Sequence, residues 1–157
     1  MVTVTGRANG EPTIAGLLLP AGDHPADLGT VAQRTYTLAE ARALLPEIQE
    51  RAAEFVDARA DLAEVISALD QGGSTPLGGR AEAKALEARI DEILSWFVAQ
   101  GLEVKSVAPL LIDFWSWING ELAMLCWLEG EPELAWYHRL EHGFAGRRRL
   151  PPARAPG

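Results

Sequence analysis

Two of the three histidines, His138 and His142, lie in the stretch Glu129–His142, which also carries Glu131, Glu133 and Glu141. One imidazole with two or three carboxylates is a donor set for zinc, iron or manganese. A further carboxylate, Asp113, stands between Ile112 and Phe114. A charge in so apolar a run needs a compensating positive charge, because burying it alone costs several kcal/mol. A divalent transition metal held by His138, Glu131, Asp113 and Glu141 would supply that charge. So would an ion pair from Asp113 to Lys105 or Arg147, with His138 then a half-exposed strand residue.

Other signals are weaker. His138-Arg139-Leu140-Glu141-His142 spells the His-x-x-Glu-His pattern of one zinc protease class, which requires a helix so that both imidazoles face one ion. Here the preceding residues read as strand and Gly143 follows at once, so the pattern lacks its context. Whether His142 takes part in a metal site stays open. Cys126, the single cysteine, sits between Leu125 and Trp127 and reads as a buried, inert thiol. It excludes an intramolecular disulfide. Lys105 and Glu103 share a strand face and read as a salt bridge. Gly143-Phe144-Ala145-Gly146-Arg147 reads as a constrained loop able to place one guanidinium for an anion. Gly78-Gly79-Arg80 follows no strand, and no Gly-x-Ser-x-Gly elbow exists, so no nucleotide cofactor is expected.

The elements that must position these groups follow from periodicity. Thr37-Leu38-Ala39-Glu40 fits a capping box and opens a first helix, over about 38–70. Pro46 should kink or restart it. From Ile48 the spacing Ala52, Phe55, Arg59, Leu62, Ile66, Leu69 alternates 4-3, a heptad seam broken only by Arg59. A Gly-rich turn over 71–79 leads to a second helix, about 80–100, with Ala83, Leu86, Ile90, Ile93 and Phe97 on its seam. Gly101 is placed to end it in the left-handed conformation. The residues after Gly101 are β-formers, and Asn119-Gly120 is the strongest short hairpin signal in the chain. The reading is an α+β fold. An antiparallel, coiled-coil-like two-helix hairpin packs on a three- to four-stranded antiparallel sheet over about 103–140.

One domain should therefore span 35–150. Residues 1–34 read as a mostly flexible arm, because their glycines and prolines interrupt any long element. Ile14–Leu19 could dock there as an edge strand. Residues 151–157 read as a tail. The chain has 157 residues, 48% hydrophobic and 23% charged, enough to bury a core without staples. Its net charge of −8 argues against nucleic-acid binding, which needs a basic face. No uncharged apolar window is long enough for a membrane helix, and no signal-peptide pattern opens the chain. A cytoplasmic location is the expectation.

The residues then point to a family. Tyr36-Thr37-Leu38-Ala39-Glu40-Ala41 with Leu44-Leu45-Pro46, Gly101–Lys105, Leu111-Ile112-Asp113-Phe114, Leu125-Cys126-Trp127, Gly130-Glu131, Trp136-Tyr137-His138 and Gly143–Arg147 together resemble the bacterial domain-of-unknown-function family numbered 2203. The resemblance runs over about 36–150. It implies a small standalone protein and no assigned activity. It also selects residues. Asp113, Glu131, His138 and Arg147 fall on its motif, and Glu141 falls where the family usually has an acid, whereas His142 and Arg148 do not match. Trp115-Ser116-Trp117-Ile118 replaces a more polar stretch, and Arg139 replaces an acid.

Two functional classes follow. In the first, the protein binds a divalent metal and acts on a small molecule, with Arg147, Lys105, Trp115 and Trp117 as substrate or anion contacts. In the second, it is a non-catalytic module whose aromatic sheet face binds a partner. A homodimer through helix packing is expected in either case, since the seam is long and Arg59 would need an acidic partner across an interface.

Overall fold

The computed structural model describes residues 33–73 and 75–151. Of the arm expected over 1–34, residues 1–32 with Ile14–Leu19 lie outside the described residues, as do residues 152–157 of the tail expected over 151–157. The element order is α1 (Leu38–Asp70), α2 (Arg80–Ala99), β1 (Glu103–Val107), β2 (Leu110–Ile118), β3 (Glu121–Leu128), β4 (Trp136–Arg139), a short 3-10 turn (Phe144–Gly146) and β5 (Arg148–Arg149).

The capping box forms as the sequence predicts. Thr37 Oγ1 accepts from the Glu40 backbone N–H at 3.1 Å, and Glu40 Oε2 accepts from the Thr37 N–H at 2.8 Å. The Thr37 backbone N–H, and then the Thr37 hydroxyl, hold the Glu40 carboxyl below its ordinary value. α1 continues through Pro46 as one helix. α2 runs back along it. Arg89 pairs with Glu54, and the Arg51 guanidinium lies over the Trp96 ring at 5.4 Å.

The buried stripe departs from the heptad past Phe55. It continues through Ala58 and Val65, while Ile66 is 42% exposed. On a helix of 3.6 residues per turn Val65 lies about 100° around from Ile48, so the buried face itself turns along α1. Arg59 finds its acid inside the chain: Nη2 reaches Glu129 Oε1 at 2.8 Å and Nη1 reaches Oε2 at 2.9 Å. The seam therefore does not need a second copy to neutralise Arg59.

α2 ends in a Schellman turn. Gly101 has φ +76°, its N–H donates to Val98 O at 2.9 Å, and Leu102 N–H donates to Phe97 O at 3.1 Å. A side chain at Gly101 would also collide with Arg34 Cβ at 2.9 Å.

The sheet is an antiparallel meander of five strands in the order β1-β2-β3-β4-β5, one more than the upper expectation. The extra strand is β5, where Arg148 pairs with Tyr137 and Arg149 with Trp136. Its arginines carry no β pattern, and only the turn over 144–146 folds them back. One face of the sheet packs on the helices. Ile112, Phe114, Leu125 and Trp127 join Ile48, Phe55, Ile93 and Phe97 in one buried cluster. Tyr36 closes it, meeting Phe114 edge-on at 5.4 Å and donating its N–H to Trp115 O at 2.7 Å. Among the described residues, no helix is long and apolar enough to cross a membrane.

Candidate metal centre

The site lies on the other face of the sheet. Asn119 and Gly120 both have positive φ, +52° and +80°, so the hairpin closes in two residues and pairs Ile118 with Glu121. Counting back from that pair places Asp113 opposite Cys126. The next register places His138 opposite Met124, diagonal to Cys126. Because Ile112 and Phe114 face the helices, Asp113 between them faces away. The turn after β4 roofs this face with Leu140, Gly143 and Phe144.

Asp113, Cys126 and His138 thus converge on three adjacent strands. They are 1%, 0% and 4% exposed. Asp113 Oδ2 lies 2.9 Å from His138 Nε2. Ligand atoms of all three residues lie within 4.8 Å of one another. His138 Nδ1 lies 2.9 Å from the Arg139 carbonyl oxygen, which can only accept, so Nδ1 carries a proton. Nε2 then faces the carboxylate with either a second proton or a cation between them. Asp113 Oδ1 is buried without a hydrogen-bond partner. Burial pushes the Cys126 thiol up, the Asp113 charge and a thiol contact to that carboxylate push it further, and the Arg147 charge pulls the other way. Without a metal, Cys126 is a protonated thiol.

These residues fit a divalent ion. Asp113, His138 and Cys126 together offer an O, N, S donor set that could hold a metal ion. The anchor from Nδ1 to a carbonyl is the support that metal-bound histidines receive. With an ion bound, three protein donors would leave room for a further ligand.

The remaining sequence candidates sit elsewhere. Glu131 is not part of the group. Both its oxygens lie 2.7 Å from Arg147 Nη2, and Oε2 also accepts from the Leu128 N–H at 2.9 Å. Arg147 pairs with Glu131 through Nη2, its Nε buried without a partner, under the rings of Trp136 at 5.0 Å and Phe144 at 4.9 Å. Glu141 has a side chain 70% exposed, with His142 Nε2 4.0 Å away. Residues 138–142 pass from strand into turn, so His138 and His142 share no helix face. Lys105 pairs with Glu103, so neither Lys105 nor Arg147 neutralises Asp113; His138 is its partner, and it is buried rather than half-exposed. Trp117 is 63% exposed.

A pocket of about 530 Å³ opens onto the pair. Asp113, His138 and Met124 form its floor, with Trp115, Leu140 and Phe144 as apolar walls and Glu103 and Lys105 among its lining. A second cleft, about 430 Å³, lies between α1 and the β3–β4 connection, lined by Gln49, Ala52, Trp127 and Glu129 among others. It holds none of the three converging residues.

The residue that sequence reasoning missed is Cys126. The signal was present, because a two-residue turn at Asn119-Gly120 dictates that Asp113 and Cys126 pair. No curated protein and no solved structure matches the chain. The family model described as an uncharacterized conserved protein, DUF2203, matches residues 34–150, and the chain belongs to that family.

Proposed function

We propose that the protein is a small metalloprotein that holds a zinc-class divalent ion on Asp113, Cys126 and His138, at the floor of a pocket that admits a small molecule. One observation carries this reading: a buried carboxylate oxygen without a partner, beside an imidazole whose other nitrogen is anchored. Relative to an all-carboxylate set, the sulfur favours zinc over manganese. When bound, the ion would supply Lewis acidity toward a ligand in the pocket. The chain's own residues do the rest. Leu140 and Phe144 narrow access to water, Trp115 lines the wall, and the Arg139 carbonyl orients His138.

The test is elemental analysis of untagged protein, followed by cobalt(II) substitution. Near-stoichiometric metal and a thiolate-to-cobalt charge-transfer band, lost in Cys126→Ser and in His138→Ala, are expected. Protein that carries no metal and refuses zinc and cobalt would leave a metal-free Asp113–His138 ion pair. The exposed ring of Trp117 would then make a partner-binding sheet face the leading reading.

A further inference from the structure

The pocket is polarised, and its polarity selects a ligand. β1 carries a bulge: Val104 pairs with Ile112, but Ser106 already pairs with Leu111, so Lys105 is an extra residue in the strand. A bulge re-aims a side chain, and Lys105 lines the pocket. Glu103 holds it there. One Glu103 oxygen, Oε2, pairs with the Lys105 ammonium, and the other, Oε1, accepts from Trp115 Nε1 at 2.7 Å. That chain of contacts also fixes the Trp115 ring in the wall.

An ammonium has three donors. Among the described residues Glu103 is the only partner of Lys105, whose side chain is 43% exposed. Both Glu103 oxygens are already engaged. The Lys105 ammonium therefore keeps N–H donors free while sharing its charge with Glu103, whose two oxygens are committed; the unpartnered acceptor of this pocket is Asp113 Oδ1 on the floor, where the metal reading places the ion. Leu140 and Phe144 line the same space while 46% and 47% exposed. An apolar body lying between them and Trp115 would remove that surface from water.

We infer that the pocket takes a small aromatic carboxylate, with the ring between Trp115 and Phe144 and the carboxylate on Lys105 Nζ. This rests on the reading of the pocket as the working cleft of the metal centre. It places ligand recognition on Lys105, separate from the residues that hold the ion. A cationic ligand of the same shape finds no uncommitted acceptor at Lys105 and Glu103, and a neutral one forgoes the charge-assisted contact.

The experiment is calorimetric titration of the full-length protein, zinc-loaded and metal-stripped, with phenylacetate, 2-phenylethanol and 2-phenylethylamine. Phenylacetate should bind about tenfold more tightly than the alcohol, the size of one hydrogen bond to a charged group, and the amine most weakly. Lys105→Met should erase the preference for the acid. Glu103→Gln, which keeps an acceptor for Trp115 and removes a competing charge, should strengthen it. Phe144→Ala should weaken all three ligands. The inference is overturned if the amine binds as tightly as the acid, or if none of the three binds. It is also overturned if the acid preference survives Lys105→Met and exists only with zinc present, since the carboxylate would then be a metal ligand. Failure of the metal centre reads differently: no zinc is taken up, while the acid preference that depends on Lys105 persists in the stripped protein.

Discussion

Asp113 on β2 reaches His138 on β4 across the whole width of β3, with Oδ2 and Nε2 2.9 Å apart and both side chains almost fully buried. The contact passes over Cys126 and Met124, which are the register partners of Asp113 and His138. It ties β2 to β4 directly, as the Arg139–Glu121 pair at 2.8 Å ties β4 to β3.

In metal-free protein this pair should be strongly coupled. Removing one partner strands a buried polar or charged group, so Asp113→Ala or His138→Ala should each cost about 3–5 kcal/mol. The double variant should lose less than the sum, with a coupling of at least about 1 kcal/mol. Urea unfolding in the presence of a chelator measures all four forms.

Zinc should stabilise the fold, because the unfolded chain offers no assembled site. At free zinc about a hundredfold above Kd the gain is about 2.7 kcal/mol, which corresponds to a Tm rise of roughly 5–10 °C for a chain this size. Cys126→Ser and His138→Ala should show no rise. Thermal scans with and without chelator give the comparison.

The Arg59–Glu129 contact makes a pH prediction. The Arg59 hydrogen bonds, and then the bond from the Leu110 N–H, hold the Glu129 carboxyl below its ordinary value of 4.5. A carboxyl depressed in the folded state contributes stability above its unfolded pKa, and that contribution is lost as pH falls through the folded one. Glu129→Gln should therefore cost about 1–2 kcal/mol at neutral pH. The difference from wild type should shrink as pH falls below 4.5. A difference that stays constant down to the acid transition would contradict the pairing.

Gly146→Ala tests the roof of the pocket. An added Cβ would run into His142 Cβ. The turn from Leu140 to Arg147 must then shift, at a cost of about 1–3 kcal/mol. Phe144 and Arg147 lie on that turn, so ligand affinity and the Arg147–Glu131 pair should weaken together. Calorimetry and an unfolding curve on the same sample read both effects.

The sequence by itself determined the α+β class, the caps and the turns. Thr37 with Glu40, Gly101, and Asn119 with Gly120 act through a few neighbouring backbone atoms, so their geometry is local and legible. Asp113 could be marked because a carboxylate among bulky apolar residues is costly wherever the strand lies. The tight hairpin even encoded the Asp113–Cys126 pairing, since a two-residue turn leaves one register.

Tertiary structure alone decided the rest. The longer β3–β4 connection, Glu129 to Ala135, has no turn type that sets its register, so the position of His138 relative to Asp113 depends on how β4 docks. Glu131 and Arg147, attractive as a ligand and an anion contact, instead neutralise each other, because a turn carries Arg147 back over Trp136. The same holds for Arg59, whose acid is far away in sequence. Charges choose partners by distance in space, through the fall of the Coulomb interaction and the cost of desolvation. That choice exists only once helices and sheet have packed.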